Sequence, residues 1–420
     1  VKLVHAADLH IDSPLRGLER YEGAPVGAMR GATRRAVENL VAVCIEERAS
    51  LLVLAGDLYD GDWKDYATGL FFAQQMARLA AADIPVAWIR GNHDAASRIS
   101  RHLGLPANVR ELDTRAPETV VYEALGVAVH GQGFAQRAVT TDLAARYPDP
   151  IRGVFNVGLL HTSADGKPGH EPYAPCSPDA LADKGYDYWA LGHVHAREVL
   201  SRDPWICFSG NLQGRHARET GPKGALFVTV REGAVTDVAL RAVDAARWAR
   251  AEVDASAAAS AHDVVDLARE ALEGAAAEAE GRPVAARLLV RGASRAHDAL
   301  ADDPDRWETE LRALANETGE VWLERVVMET VPAMDPAELE LRDDAVGQVA
   351  RTLAALKNDE AALGALRERI DELVRKLPSE LRTRETGELE LRMDDRASLR
   401  HAVAEVERVL LPRLLAAARG

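Results

Sequence analysis

Five short polar motifs, each at the end of an apolar run, constrain this chain more than any other feature. Asp8-x-His10 follows VKLVHAA, Gly56-Asp57 follows LLVLA, and Gly91-Asn92-His93-Asp94 follows IPVAWIR. His161 follows FNVGLL, and Gly192-His193-x-His195 follows YDYWAL. Each run reads as a buried strand, so the motifs fall at strand ends and converge on one rim of a sheet. Amphipathic helices are expected near residues 30–48 and 66–82. From residue 120 onward TVVYEALGVAVHG, VFNVGLLH, WICFSG and ALFVTVREGAVTDVAL read as strands separated by Gly turns. Strands mixed with helices in this way predict an α/β fold, a two-sheet sandwich flanked by helices, over residues 1–245.

The rest of the chain predicts two further units. At 246–332, RWARAEV, VAARLLVRG and EVWLERVVMET read as strands. AHDVVDLAREALEGAAAEA and WETELRALANETG read as the helices between them, a small β-α-β-α-β unit. At 333–420 the pattern turns helical. A helix over 345–377 carries Val349, Leu356, Leu363, Ile370 and Leu377 every seven residues, with Leu353, Leu366 and Leu373 widening the stripe, and Pro378 stops it. A second helix over about 395–418 carries Leu399, Val403, Val406 and Leu410, with Pro412 near its end.

The formal net charge of −15 argues against a nucleic-acid enzyme only until it is divided along the chain. Residues 1–250 carry 28 Lys+Arg against 30 Asp+Glu, and residues 251–420 carry 23 against 36. The acidity therefore belongs to the C-terminal part, and two divalent cations would make the motif-bearing part net positive. No window of eighteen uncharged apolar residues predicts a membrane span. The N-terminus enters a strand directly, so no secretory signal is expected, and Val1 implies a trimmed start Met. Cys44, Cys176 and Cys207 lack metal-ligand spacing and read as buried thiols, which fits a cytoplasmic protein.

The motifs supply a coherent ligand set. Residues two apart on a strand point the same way, so Asp8 and His10 can grip one ion, and His193 and His195 can do the same from the opposite side. The central Asp57 can bridge two ions with its two oxygens, while Asn92 offers a carbonyl and His161 an imidazole. Mixed carboxylate, amide and imidazole ligands favour manganese, iron or zinc over magnesium. His93, beside Asn92, is the candidate general acid or charge stabiliser, with Asp94 as its orienting partner. Singly each motif has a bland reading: a chance Asp-x-His among 13 histidines, a turn, or core histidines. All five in order, each after a strand, do not.

Longer stretches carry a resemblance: HAADLHIDSPLRGL, AGDLYDGDWKDYATGLFF, GNHDAAS, LLHTSADGKPGHEPYAPCS, GYDYWALGHVH and GNLQGRHARETGPKG. Over about residues 1–230 the chain resembles the calcineurin-like metallophosphoesterase superfamily, within it the SbcD/YhaO-like DNA repair nucleases. The resemblance implies one ion held by Asp8, His10, Asp57 and His195 and another by Asp57, Asn92, His161 and His193, with His93 as the catalytic histidine. It implies two manganese ions, a capping role for 246–332, and docking of the helices in 333–420 on an SMC-like coiled-coil ATPase. It also implies a homodimer, through the helices near 30–48 and 66–82. One departure stands out: Asp60 lies three positions after Asp57, where archaeal and eukaryotic relatives carry a histidine used in exonuclease action.

A DNA substrate would meet Arg215, His216, Arg218 and Lys223 in one Gly-bounded loop, together with Arg197, Arg16, Lys167 and His170. The leading expectation is a two-metal DNA repair nuclease with an ATPase partner. The alternatives are a phosphodiesterase or phosphatase for small substrates on the same fold, and a scaffold subunit that presents its C-terminal helices.

Overall fold

The computed structural model describes residues 1–13, 31–60, 66–96, 104–164, 173–318, 321–333 and 336–376, with helical positions between 399 and 414. Arg16, Lys167, His170, Leu377 and Pro378 lie outside them. Along the first part run β1 (Lys2–Ala6), α1 (Ala32–Glu46), β2 (Leu51–Leu54), α2 (Tyr66–Ala81), β3 (Val86–Trp88), α3 (Asn92–Ala96) and β4 (Val109–Glu111). There follow β5 (Glu118–Tyr122), β6 (Val127–Gly131), β7 (Phe155–His161), α4 (Pro178–Asp183) and β8 (Tyr188–Gly192). The antiparallel β9 (Glu198–Arg202) and β10 (Trp205–Phe208) precede the hairpin of β11 (Gly224–Arg231) and β12 (Ala234–Ala242).

These strands form two six-stranded sheets, ordered β12-β11-β1-β2-β3-β4 and β5-β6-β7-β8-β10-β9. The expected α/β sandwich is what forms. The central strands read as unbroken apolar runs because both of their faces are covered. In β2, Leu52 and Leu54 face the core shared with α1 and α2, while Leu51 and Val53 face the core between the sheets. In β8, Tyr188 and Ala190 face that same inter-sheet core, while Trp189 and Leu191 face a third core under α4. Helix α1 contributes Val37, Leu40, Val41 and Cys44, an i, i+3, i+4, i+7 stripe. Truncating a wholly buried residue such as Leu52 to Ala would cost about 2–5 kcal/mol. Strands β1, β2 and β3 run parallel, as do β7 and β8, so within each sheet the motif-bearing ends lie on one rim.

Further along come β13 (Arg247–Asp254), α5 (Ala261–Glu278), β14 (Val284–Ser294), α6 (His297–Asp302), α7 (Pro304–Glu317) and β15 (Val321–Pro332), whose strands form a sheet in the order β13-β14-β15. After α8 (Pro336–Glu340), the apolar stripe expected on one long helix is carried by two, α9 (Ala345–Asn358) and α10 (Glu360–Lys376). Asp359 breaks them. It is extended, with φ −97° and ψ 106°, and its carboxylate accepts the amides of Ala361 and Ala362 at 2.9 and 3.1 Å, an N-cap in mid-stripe. Val346, Ala350 and Leu353 bury against Leu339, Leu363, Leu399, Val403 and Leu411, so this stripe packs on the chain's own helices. The chain divides into two compact units. One comprises Val1–Ala251, Ala271–Arg287 and Arg312–Arg325, and the other comprises Glu252–Glu270, Leu288–Leu311 and Val326–Gly420. The three cysteines are buried thiols. Among the described residues no helix is long and apolar enough to cross a membrane.

Candidate metal centre

All seven expected ligands gather at the rim. Asp8, His10, Asp57, Asn92 and His161 are buried, while His193 and His195 are partly open. Strand alternation is not what aligns them. β1 ends at Ala6, and beyond it Asp8 and His10 take left-handed backbone, with φ 52° and 41°. Asp57 at 54° and His193 at 100° do likewise. Hydrogen bonds between the loops hold these conformations: Asp8 N to Gly56 O at 3.0 Å, His10 N to Asp57 O at 3.1 Å, and His193 N to Asp8 Oδ2 at 2.9 Å. Side-chain bulk is excluded where the loops touch. A Cβ on Gly192 would collide with the Ala55 carbonyl, and one on Gly91 with the Asp57 carboxylate.

Two clusters share Asp57. His10 Nε2 lies 3.3 Å from His195 Nε2, 4.0 Å from Asp8 Oδ1 and 3.9 Å from Asp57 Oδ2. The same Asp57 Oδ2 is 3.5 Å from His161 Nε2, which lies 2.9 Å from Asn92 Oδ1. The His161 and His193 rings meet edge-on at 5.2 Å. Hydrogen bonds at the far nitrogens set the tautomers. His161 donates Nδ1–H to Ala55 O at 2.8 Å and His195 donates Nδ1–H to Glu219 Oε1 at 2.7 Å. Each Nε2 is thereby aimed at carboxylate, amide or imidazole acceptors. Converging acceptors repel unless positive charge lies among them.

The ionisation pattern carries the same demand. Burial acts to lower His161, yet the Asp57 carboxylate outweighs it and raises the imidazole to about 9. Burial acts to raise Asp57, yet His161 outweighs it and holds the carboxyl far below the usual range. The donor set fits a pair of divalent cations, and Asp57 would be shared between them. His10, Asp8, His195 and Asp57 would hold one, and Asp57, Asn92, His161 and His193 the other.

His93 stands beside this set with its side chain 31% exposed, reachable by a substrate. Its orienting carboxylate is not Asp94. Adjacent residues on a helix do not face each other, and both lie on α3. Asp94 is wholly buried and accepts the amides of Tyr59 and Gly91, each at 3.0 Å, which ties α3 to the loop after β2. Burial, with Asp57 nearby, raises the Asp94 carboxyl to about 7. The partner of His93 is Asp60, whose Oδ1 lies 2.9 Å from Nδ1 while its Oδ2 accepts Ser13 Oγ–H at 2.8 Å. Burial acts to lower His93, but Asp60 and Asp57 together more than offset it and hold the imidazole above its ordinary value.

Of the basic residues expected at a substrate surface, Arg215 turns inward, with Nη1 3.3 Å from Ser13 Oγ and 3.9 Å from Asp60 Oδ1. Lys223 donates to His195 O at 3.2 Å. Arg197, His216 and Arg218 are exposed, His216 lying 3.4 Å from Glu219 Oε1. Sequence reasoning missed Glu219 as a support of His195. Its signal, an acid in the Gly-bounded loop that also holds Arg215, was read only for positive charge.

Comparison with known proteins agrees with this geometry. Residues 1–197 match calcineurin-like phosphoesterases, and residues 248–331 match the middle domain of metallophosphoesterase YhaO. An uncharacterized metallophosphoesterase YhaO from Bacillus subtilis is 33% identical over 293 residues, covering 69% of this chain and 71% of that one. The DNA double-strand break repair protein Mre11 of Methanopyrus kandleri is 29% identical over 228 residues, covering 49% of this chain and 46% of that one. The chain thus spans less than half of that second relative. With Asp and His side chains clustered at the rim as a dinuclear centre requires, and a relative matched over most of both lengths, this chain belongs to the calcineurin-like metallophosphoesterase family, with a middle domain of the YhaO type.

Proposed function

We propose that this chain is a manganese-dependent DNA repair nuclease that hydrolyses phosphodiester bonds, working in the cytoplasm as the nuclease subunit of a complex with an SMC-like ATPase. The observation that carries the chemistry is Asp57 Oδ2 facing both ligand clusters while its Oδ1 accepts His93 N at 2.9 Å. When bound, two divalent ions would withdraw charge from a phosphate and make hydroxide available near neutral pH. The chain's own groups supply the rest. His93, whose cation Asp60 favours, has Nε2 left to protonate the departing oxygen or to meet charge building on the phosphate. Arg215 offers a guanidinium beside that place, and the exposed Arg197, His216 and Arg218 suit phosphates farther along a strand.

DNA as substrate is supported by similarity to the archaeal repair protein. A phosphodiesterase for small substrates is the second reading. Asp60 favours it, since a carboxylate faces His93 at the position where the resemblance implies a histidine in the archaeal and eukaryotic nucleases. One panel separates them: labelled single-strand, duplex and hairpin DNA alongside bis-p-nitrophenyl phosphate, with manganese, magnesium or chelator, with and without the ATPase. DNA cleavage that needs manganese and disappears in His93→Ala is expected. Turnover of the small diester with no DNA cleavage, even with the ATPase present, would establish the second reading.

A further inference from the structure

Glu219 is only 7% exposed, yet it belongs to no ligand cluster and no step described above. Its Oε1 accepts His195 Nδ1–H at 2.7 Å. Its Oε2 accepts the Arg215 amide at 2.7 Å and Asn211 Nδ2–H at 2.9 Å. Asn211 N in turn donates to His195 O at 3.3 Å. The loop is pinned from another side, where Gln213 Nε2 donates to Ala246 O at 2.7 Å and Trp248 Nε1 donates to Gly214 O at 2.9 Å. One carboxylate therefore grips a ligand imidazole with one oxygen and the backbone beneath Arg215 with the other.

The hydrogen bonding at His195 is decided by Glu219. Arg215 Nη2 also lies 3.3 Å from His195 Nδ1, but a ring nitrogen that donates to a carboxylate cannot accept from a guanidinium. The shorter, charge-assisted contact prevails, Nδ1 carries the proton, and Nε2 is free to ligate. Arg215 Nη2 is thereby left without that acceptor, on a side chain that is 17% exposed. An anionic oxygen such as that of a phosphodiester is the acceptor that would complete it.

We propose that Glu219 is a positioning residue that couples metal uptake to substrate binding, setting His195 Nε2 toward the cation while fixing Arg215 to receive a phosphate oxygen. This rests on the metallophosphodiesterase reading and adds to it a link between His195 and the arginine loop. In Glu219→Gln the amide oxygen stays with its two donors, the Arg215 backbone N–H and the Asn211 side-chain NH2, and turns its own NH2 toward His195. His195 must then accept at Nδ1 and carry its proton on Nε2, where the cation belongs.

The test is calorimetric titration of chelator-stripped full-length protein with manganese, followed by KM and kcat for bis-p-nitrophenyl phosphate at saturating manganese. Glu219→Gln is expected to weaken one of two sites by about 10–100-fold and leave the other unchanged. It should raise KM, and this rise should vanish in an Arg215→Ala background while the metal defect persists. Two wild-type affinities in Glu219→Gln, or KM effects that multiply independently, would overturn the proposal. If that variant does not fold, Glu219→Asp carries the test: it keeps the charge on a shorter stem and must weaken the same site by a smaller factor. Wild-type uptake in it overturns the proposal equally. Manganese uptake is read without substrate, so failure to cleave DNA would leave this result standing.

Discussion

Replacing Asp60 by Asn tests the acid–base assignment directly. The change keeps size and an acceptor oxygen for His93 Nδ1 at 2.9 Å, and removes only the charge. A charge-assisted hydrogen bond is worth about 1.5–3 kcal/mol and a neutral one about 0.5–1.5, a difference of about 1–2 kcal/mol. Both side chains are less than a third exposed, at 20% and 31%, so solvent screening takes only part of this. If the interaction is realised in the transition state, kcat falls by roughly 5–30-fold. Asp60 raises His93 and so favours its cation, and Asp60→Asn lets that proton go at lower pH. The basic limb of kcat should therefore move to lower pH, with the loss growing as pH rises. The assay is kcat against pH on bis-p-nitrophenyl phosphate, with bound manganese counted in each variant. Wild-type kcat and an unmoved basic limb, at full metal occupancy, would refute the pairing.

Chelation should lower stability, because ligands bind only the folded state. A divalent cation at a hundredfold excess over its Kd would contribute about 2.7 kcal/mol, several degrees in the Tm of the first unit, and equal melting with and without chelator would count against the centre. His5, wholly buried with Tyr188 Oη at 3.0 Å and Leu191 O at 3.1 Å, is lowered by burial to about 3. Its contribution is fully present above the unfolded value of 6.5 and drains as pH falls toward 3, by about 2 kcal/mol at pH 5. Urea midpoints should fall more between pH 8 and pH 5 in wild type than in His5→Gln, and parallel curves would contradict this. Asp359→Ala removes the cap of α10 and should cost about 1 kcal/mol, read as faster amide exchange in α10 with α1 unchanged.

The sandwich was legible because strands such as LLVL and YWALG are covered on both faces, which writes burial into the sequence as continuous apolarity. The ligand set was legible for a different reason: its residue types are rare together and follow those strands. The geometry that joins them was not. Asp8 and His10 meet through left-handed backbone beyond β1, a conformation that Asp and His enter more often than most residues but that no spacing in the sequence marks. Adjacency suggested Asp94 as the partner of His93, but one helical step turns neighbouring side chains apart, and Asp60 arrives from the loop after β2. Asp359 broke a stripe whose apolar spacing ran straight through it, because periodicity reports burial and not the cap that interrupts it.

The same facts explain why the supports matter as much as the ligands. Left-handed backbone at Asp8, His10, Asp57 and His193 costs about 1 kcal/mol or more at each residue, and it persists only where the surroundings over-determine it. Here the over-determination is visible. Gly56 O and Asp57 O receive the amides of Asp8 and His10, Ala55 O fixes His161, and Asp60 and Glu219 fix His93 and His195. None of those five groups needs a cation to make its bond, so the imidazoles are aimed before any ion arrives. A centre built this way pays its ordering cost during folding, when the sheets form, and not during metal uptake. Substitution of Glu219, the side chain that supports a ligand, should therefore weaken metal affinity while leaving the sandwich intact, whereas substitutions in β2 or β8 should unfold the scaffold and the centre together.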